Sequence, residues 1–178
     1  MNDKDRIVEL LPLVPKAPSD TLPAGATPEQ LNAFEQRTGI QIPPELSSWL
    51  SISNGPGVGP GGFLGLETSR RGFDIDQYLA LCPIWKEKKW IPVASDGCGN
   101  FYVVPTNGEF GAGFPVVFVD LGESYDSPAY IVASGVFKFI RFLLERELGA
   151  TQWPFDSEQV VRCDPDILKF RGVALPWE

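Results

Sequence analysis

"WIPVASDGCGNFYVV", residues 90–104, sets two β-prone runs on either side of a loop containing two glycines, an acid, a thiol and an amide. Gly97 and Gly99 take positive φ without steric cost, and Asp96 and Asn100 tolerate it, so "SDGCGN" reads as a hairpin turn. The loop lacks the D-x-[DN]-x-[DN]-G order of a calcium site. A nucleophilic Cys98 would need a base beside it, and the chain has no histidine. The stretch therefore predicts antiparallel sheet, not a reaction centre.

Further along the chain, "FPVVFVD" (114–120) and "AYIVA" (129–133) read as a third and a fourth strand, joined by the acidic, aromatic loop "LGESYDSP" (121–128). Their nearly unbroken apolar runs predict a sheet covered, at least partly, on both faces. "SGVFKFIRFLLERELG" (134–149) follows with Ser134 as its cap and Val136, Phe139, Ile140, Leu143 and Leu144 at helical spacing. Lys138, Arg141 and Glu145 fall on the opposite face. The remaining residues, 149–178, are too aperiodic for a second domain; Trp153, Phe155, Leu168, Leu175 and Trp177 are expected to pin them to the main body as a packed tail.

Ahead of the hairpin, Thr27-Pro28-Glu29-Gln30 has the form of a capping box with proline at the first helical position. Leu31 and Phe34 supply the apolar stripe, and Gly39 the stop. A second helix is entered through Pro43-Pro44 and buries Leu46, Trp49 and Leu50, with Ser53 on the same face and Asn54-Gly55 at its end. Asp3 to Leu11 has a short helical look that stops at Pro12, and "PLVPKAPSDTLPAGA" (12–26) reads as a Pro-rich connection. Between the second helix and the hairpin, "NGPGVGPGGFLGL" (54–66) ends in an expected short strand, Phe63 to Leu66. Its glycines do not make a phosphate loop, because the terminal G-K-[ST] is missing and prolines remove the amides that would cradle phosphate. Asp74 is expected to cap a helix carrying Ile75, Tyr78, Leu79 and Cys82; capping and the helix dipole account for Asp74 and Asp76 without catalysis. Lys86, Lys88 and Lys89 read as a solvated basic face.

The totals constrain function. A chain of 178 residues with 43% hydrophobic and 12% aromatic content fits one globular domain, which at this size buries roughly 70% of its unfolded surface. The absence of histidine removes Ser-His-Asp and Cys-His triads and histidine-ligated zinc. Cys82, Cys98 and Cys163, odd in number and without C-x-x-C spacing, read as reduced thiols in a cytoplasmic protein. Neither a membrane span nor a secretory signal is apparent. The net charge of −8 disfavours nucleic-acid binding, which needs clustered lysine and arginine. From Trp90 to Phe137 the chain has no lysine or arginine, while Asp96, Glu109, Asp120, Glu123 and Asp126 all lie there. Converging on one rim, they would steer a basic partner; the alternative is that they are solvated turn residues.

In order and spacing, "ATPEQLNAFEQRTGIQIPPELSSWLSISNG" (26–55), the hairpin, and "FPVVFVD…YIVASGVFKFIRFLLE" resemble the SMI1/KNR4 family, the core of the SUKH superfamily, over roughly Thr27 to Leu148. The resemblance implies an α+β fold: a mostly antiparallel sheet of about 4–6 strands, flanked by short N-terminal helices and one C-terminal amphipathic helix. Residues 1–26 would be a Pro-rich lead, 27–148 the family domain and 149–178 the packed tail. It further implies a non-catalytic, cytoplasmic protein-binding module. In bacteria that is an immunity protein neutralising a toxin domain, often a nuclease; the alternative is a regulatory scaffold of the fungal type with no toxin partner. No cofactor, metal, catalytic residue, nucleic acid or membrane is expected. The partner-binding candidates are Asp96, Asn100, Glu123, Tyr125 and Asp126, on loops in the stretch without bases, with Tyr125 as the aromatic anchor. An enzyme built on paired carboxylates is the remaining alternative.

Overall fold

The computed structural model describes residues 2–14 and 22–178, and its architecture is α+β. Four strands, β1 (Trp90–Ser95), β2 (Phe101–Pro105), β3 (Val116–Val119) and β4 (Tyr130–Ala133), form one open antiparallel sheet in the order β1-β2-β3-β4. Before them come α1 (Asp3–Leu10), α2 (Pro28–Thr38), α3 (Pro44–Leu50), α4 (Ile75–Leu81) and α5 (Pro83–Glu87). After them come α6 (Val136–Glu147) and α7 (Ser157–Cys163), with 3-10 turns at Leu11–Leu13 and Pro165–Lys169. The Pro-rich connection lies partly outside the described residues, at 15–21.

The hairpin forms as expected, with Ser95 opposite Phe101 and a register shift between Pro92 and Ala94. A proline has no amide to give to a ladder, so a bulge beside it is where an edge strand tolerates one. Side chains alternate across β2, and each face acquires its own cover. Phe101 packs on Tyr78 of α4 and Trp85 of α5, with ring centroids 4.6 and 5.6 Å away. Tyr102, facing the other way, packs 4.7 Å from Phe139 of α6.

The capping box of α2 is complete: Gln30 donates its amide to Thr27 Oγ1, and Thr27 donates its own to Gln30 Oε1. Gly39 ends the helix at φ 73°, a left-handed conformation in which a side chain is strained. Asp74 caps α4 as expected.

Several local expectations are corrected. Ser134 does not cap α6. Gly135 does, and the amide of Phe137 is taken by Glu45 Oε2 at 3.1 Å, from α3. Ser134 turns instead to the buried Asp164, whose carboxylate accepts from its amide at 2.7 Å and its hydroxyl at 2.5 Å. Phe63 to Leu66 is not a strand, because neighbouring residues bond to unrelated partners. Leu64 donates to Val93 O, Gly65 to Phe73 O and Leu66 to Asn54 Oδ1, leaving only isolated bridges. Asn54 and Gly55 lie beyond the end of their helix, which closes at Ser51. The segment after Cys82 is helical, as α5, and the tail holds α7.

The polar face of α6 is not solvated either. Asp3 of α1 accepts from Lys138 at 3.0 Å and Arg141 at 3.0 Å. Buried Glu145 accepts from Arg141 at 2.9 Å, with Arg6 of α1 at 3.9 Å, and Lys138 also donates to Cys163 O of α7 at 2.6 Å. An amphipathic helix thus gains a second, ionic interface. In the tail, Trp153 is the true anchor: its indole is buried against Phe139 and Phe142 and donates to Val132 O at 3.2 Å. Leu175 and Trp177 are half-buried against the core, whereas Phe155 and Leu168, expected to pin the tail, are exposed.

Candidate protein-binding face

Because β2 runs antiparallel to both neighbours, the β1–β2 turn and the β3–β4 loop leave the sheet at the same end. Asn100 joins them. Its amide nitrogen donates to Asp96 Oδ2 at 2.9 Å, and its Oδ1 accepts from the amide of Leu121 at 3.1 Å. Asp96 Oδ1 in turn accepts from the amides of Cys98, at 2.7 Å, and Asn100, at 2.9 Å. Asp96 and Asn100 therefore build the turn and fasten it to its neighbour. Cys98 sits exposed at the tip, and all three cysteines are free thiols.

The β3–β4 loop opens with a second self-bonded acid. Asp120 accepts from the amide of Gly122 through Oδ1, while its carbonyl accepts from Glu123 and Ser124. Beyond that turn the main chain is held by α5. Trp85 Nε1 donates to Tyr125 O, and Lys88 Nζ to Asp126 O, each at 2.6 Å. With its carbonyl held, Tyr125 turns its side chain outward, 57% exposed, beside exposed Glu123. The Asp126 carboxylate accepts from Ser124 Oγ at 2.9 Å. Among the described residues the Glu123 carboxylate has no hydrogen-bond or ion-pair partner.

The five candidates thus share two adjoining loops in two roles. Asp96 and Asn100 organise backbone, while Glu123, Tyr125 and Asp126 face outward. Of the other acids in the stretch without bases, Asp120 lies with them. Glu109 does not: it leaves by the β2–β3 loop and accepts from Trp90 Nε1.

Lys88 corrects the picture of a solvated basic face. Its ammonium sits 4.4 Å over the Trp90 ring, 3.9 Å from Glu109 and on the loop carbonyl. Trp85 and Lys88 are the supporting residues that local pattern missed; Pro83, well suited to open a helix, was the available signal.

Two tyrosines lie beneath this end of the sheet. Burial pushes the Tyr102 hydroxyl up to about 12, with Tyr130 adding to the shift. Tyr130 is also raised, first by burial and then by Asp96 and Asp120. Among the described residues no group of three or more His, Cys, Asp or Glu side chains is placed to hold a metal ion. Asp74 and Asp76 are engaged elsewhere, in capping α4 and in a 2.5 Å pair with Arg37. No described helix is long and apolar enough to cross a membrane.

Short capped helices, a four-strand meander and a closing amphipathic helix, with acidic loops gathered at one end, define a small non-repetitive α+β module. The SMI1 / KNR4 family (SUKH-1) matches residues 25–141, about two thirds of the chain, and the protein belongs to that family. The match runs from the approach to α2 into the middle of α6, so α1, α7 and the tail lie outside it. No curated protein matches the chain.

Proposed function

We propose that this protein is a cytoplasmic bacterial immunity protein. It binds a toxin domain and blocks it without catalysis, using the face formed by Asp96, Asn100, Glu123, Tyr125 and Asp126. The partner is a basic protein surface of the kind a nuclease presents to phosphates, and the carboxylates stand in for those phosphates. Such complementarity raises the rate of encounter and excludes wrong partners.

One observation carries the reading. Tyr125 and Glu123 project from a loop whose carbonyls at 125 and 126 are pinned by Trp85 and Lys88. A solvated turn needs no such fixing. A binding loop benefits from it, because ordering done on folding is not charged again on association. Family membership adds support for a protein-binding role.

The test is co-expression with the product of the neighbouring gene. The expected result is a stable complex and protection of growth. Absence of both complex and protection would return the reading to a regulatory scaffold.

A further inference from the structure

A row of aromatic side chains crosses the sheet and continues past its edge. Tyr102 is paired with Phe118, and Phe118 with Tyr130, across β2, β3 and β4. Ring centroids are 5.4 Å and 5.1 Å apart, the second pair stacked. Tyr102 is buried under α6, while Phe118 and Tyr130 are half-buried. The next ring is Phe155, 6.2 Å from Tyr130, edge-on to it and 62% exposed. Phe155 belongs to the tail, outside the family match, and is held by its proximity to the locked Trp153.

Carboxylates border this row. Asp120 lies two residues beyond Phe118, and Asn100, which holds Asp96, two residues before Tyr102. By strand alternation Asp120 and Asn100 fall at the outer end of the aromatic face, and Asp96 is bonded to Asn100 there. Burial raises the Tyr130 hydroxyl first, and Asp96 and Asp120 add to it, while Arg146, at the end of α6, opposes them. Asp120 spends Oδ1 on Gly122, and among the described residues Oδ2 has no partner. One exposed and two half-buried rings beside carboxylate lone pairs match one side chain best. A guanidinium is flat, weakly hydrated and able to stack while its edge donates.

We propose that Phe118, Tyr130 and Phe155, bordered by Asp96 and Asp120, form a receptor for an arginine presented by the protein partner, so that the tail helps select which partner is bound. This deepens the immunity reading above and rests on it for the partner's identity.

The probe is a seven-residue Gly/Ser peptide carrying two arginines, titrated into the isotope-labelled full chain and followed by NMR, with a citrulline-for-arginine twin as control. The arginine peptide is expected to shift the amide resonances around Tyr130 and Phe155, and the citrulline peptide to leave them in place. Phe155→Ala should weaken binding about fivefold, the size of one exposed cation–π contact. Arg146→Gln should tighten it by removing a competing charge. Phe155 is exposed, so its variant keeps the parent spectrum away from the row. Equal shifts with citrulline, shifts confined to other faces, or unchanged binding by Phe155→Ala would overturn the receptor. If the peptide binds here but no toxin is neutralised, the receptor survives and the immunity reading falls. If a toxin is neutralised equally well by Phe155→Ala, the receptor falls and the immunity reading survives.

Discussion

The indole of Trp85 donates to the main-chain carbonyl of Tyr125 across 2.6 Å, tying the second half of the β3–β4 loop to α5. The same ring packs on Phe101, so Trp85→Phe removes the donor and keeps much of the core contact. The variant should lose about 1 kcal/mol of stability, the net worth of one hydrogen bond. Amide exchange over residues 122–127 should quicken more than elsewhere. Unaltered exchange there would show that the loop does not depend on this bond.

Charge reversal at Glu123 and Asp126 should weaken capture of a basic partner and flatten its salt dependence, since both effects come from long-range attraction that ions screen. The change should fall mainly on the association rate. Tyr125→Ala should instead raise the dissociation rate, as loss of an aromatic anchor does. Affinity and salt slope both unmoved by the double reversal would remove this face from the interface.

Asp3 neutralises two cations of α6 at once, Lys138 and Arg141, each about a quarter exposed. Asp3→Ala leaves both without that acceptor and should cost about 1–3 kcal/mol. The urea midpoint should drop while the slope of the transition stays constant, since the buried area is nearly unchanged. A midpoint equal to the parent's would mean that α1 is held by Ile7, Leu10 and its other polar contacts, without help from Asp3.

Burial raises the Asp164 carboxyl above its ordinary 3.8, against the opposing hydrogen bonds from Ser134 and the charge of Lys138. The folded protein therefore binds this proton more tightly than the unfolded chain does. Its contribution to stability grows as pH falls through the raised value toward 3.8 and is lost as pH climbs above it. Relative to Asp164→Asn, the parent should gain stability on mild acidification, and carboxyl NMR should place Asp164 above ordinary aspartates. A midpoint at or below 3.8 would contradict the assignment.

The parts of the fold that local chemistry dictates were legible. The α2 capping box, the Gly39 stop, the hairpin glycines and the i, i+3, i+4 stripe of α6 are each decided by residues within a few positions of one another. What escaped was settled at a distance. Glu45 caps α6 from 92 residues away, and Asp164 draws Ser134 from 30. No local pattern reveals that the charged side of α6 meets α1, because Lys138 and Arg141 look the same whether solvated or paired. At the candidate face the acids and the aromatic were visible as side chains. Their division into turn-builders and outward groups depended on α5, whose Trp85 and Lys88 act on backbone carbonyls that a sequence does not display.

Every ladder in the sheet joins strands that follow one another in the chain, while Asp3 reaches Lys138 across 135 residues. Closing a long loop carries an entropic penalty that neighbouring strands avoid, so the meander is expected to assemble early and the α1 latch to close late. The same order in reverse is expected of transient opening, with the amino-terminal helix releasing first and proteolytic nicking there preceding any loss of the β-meander.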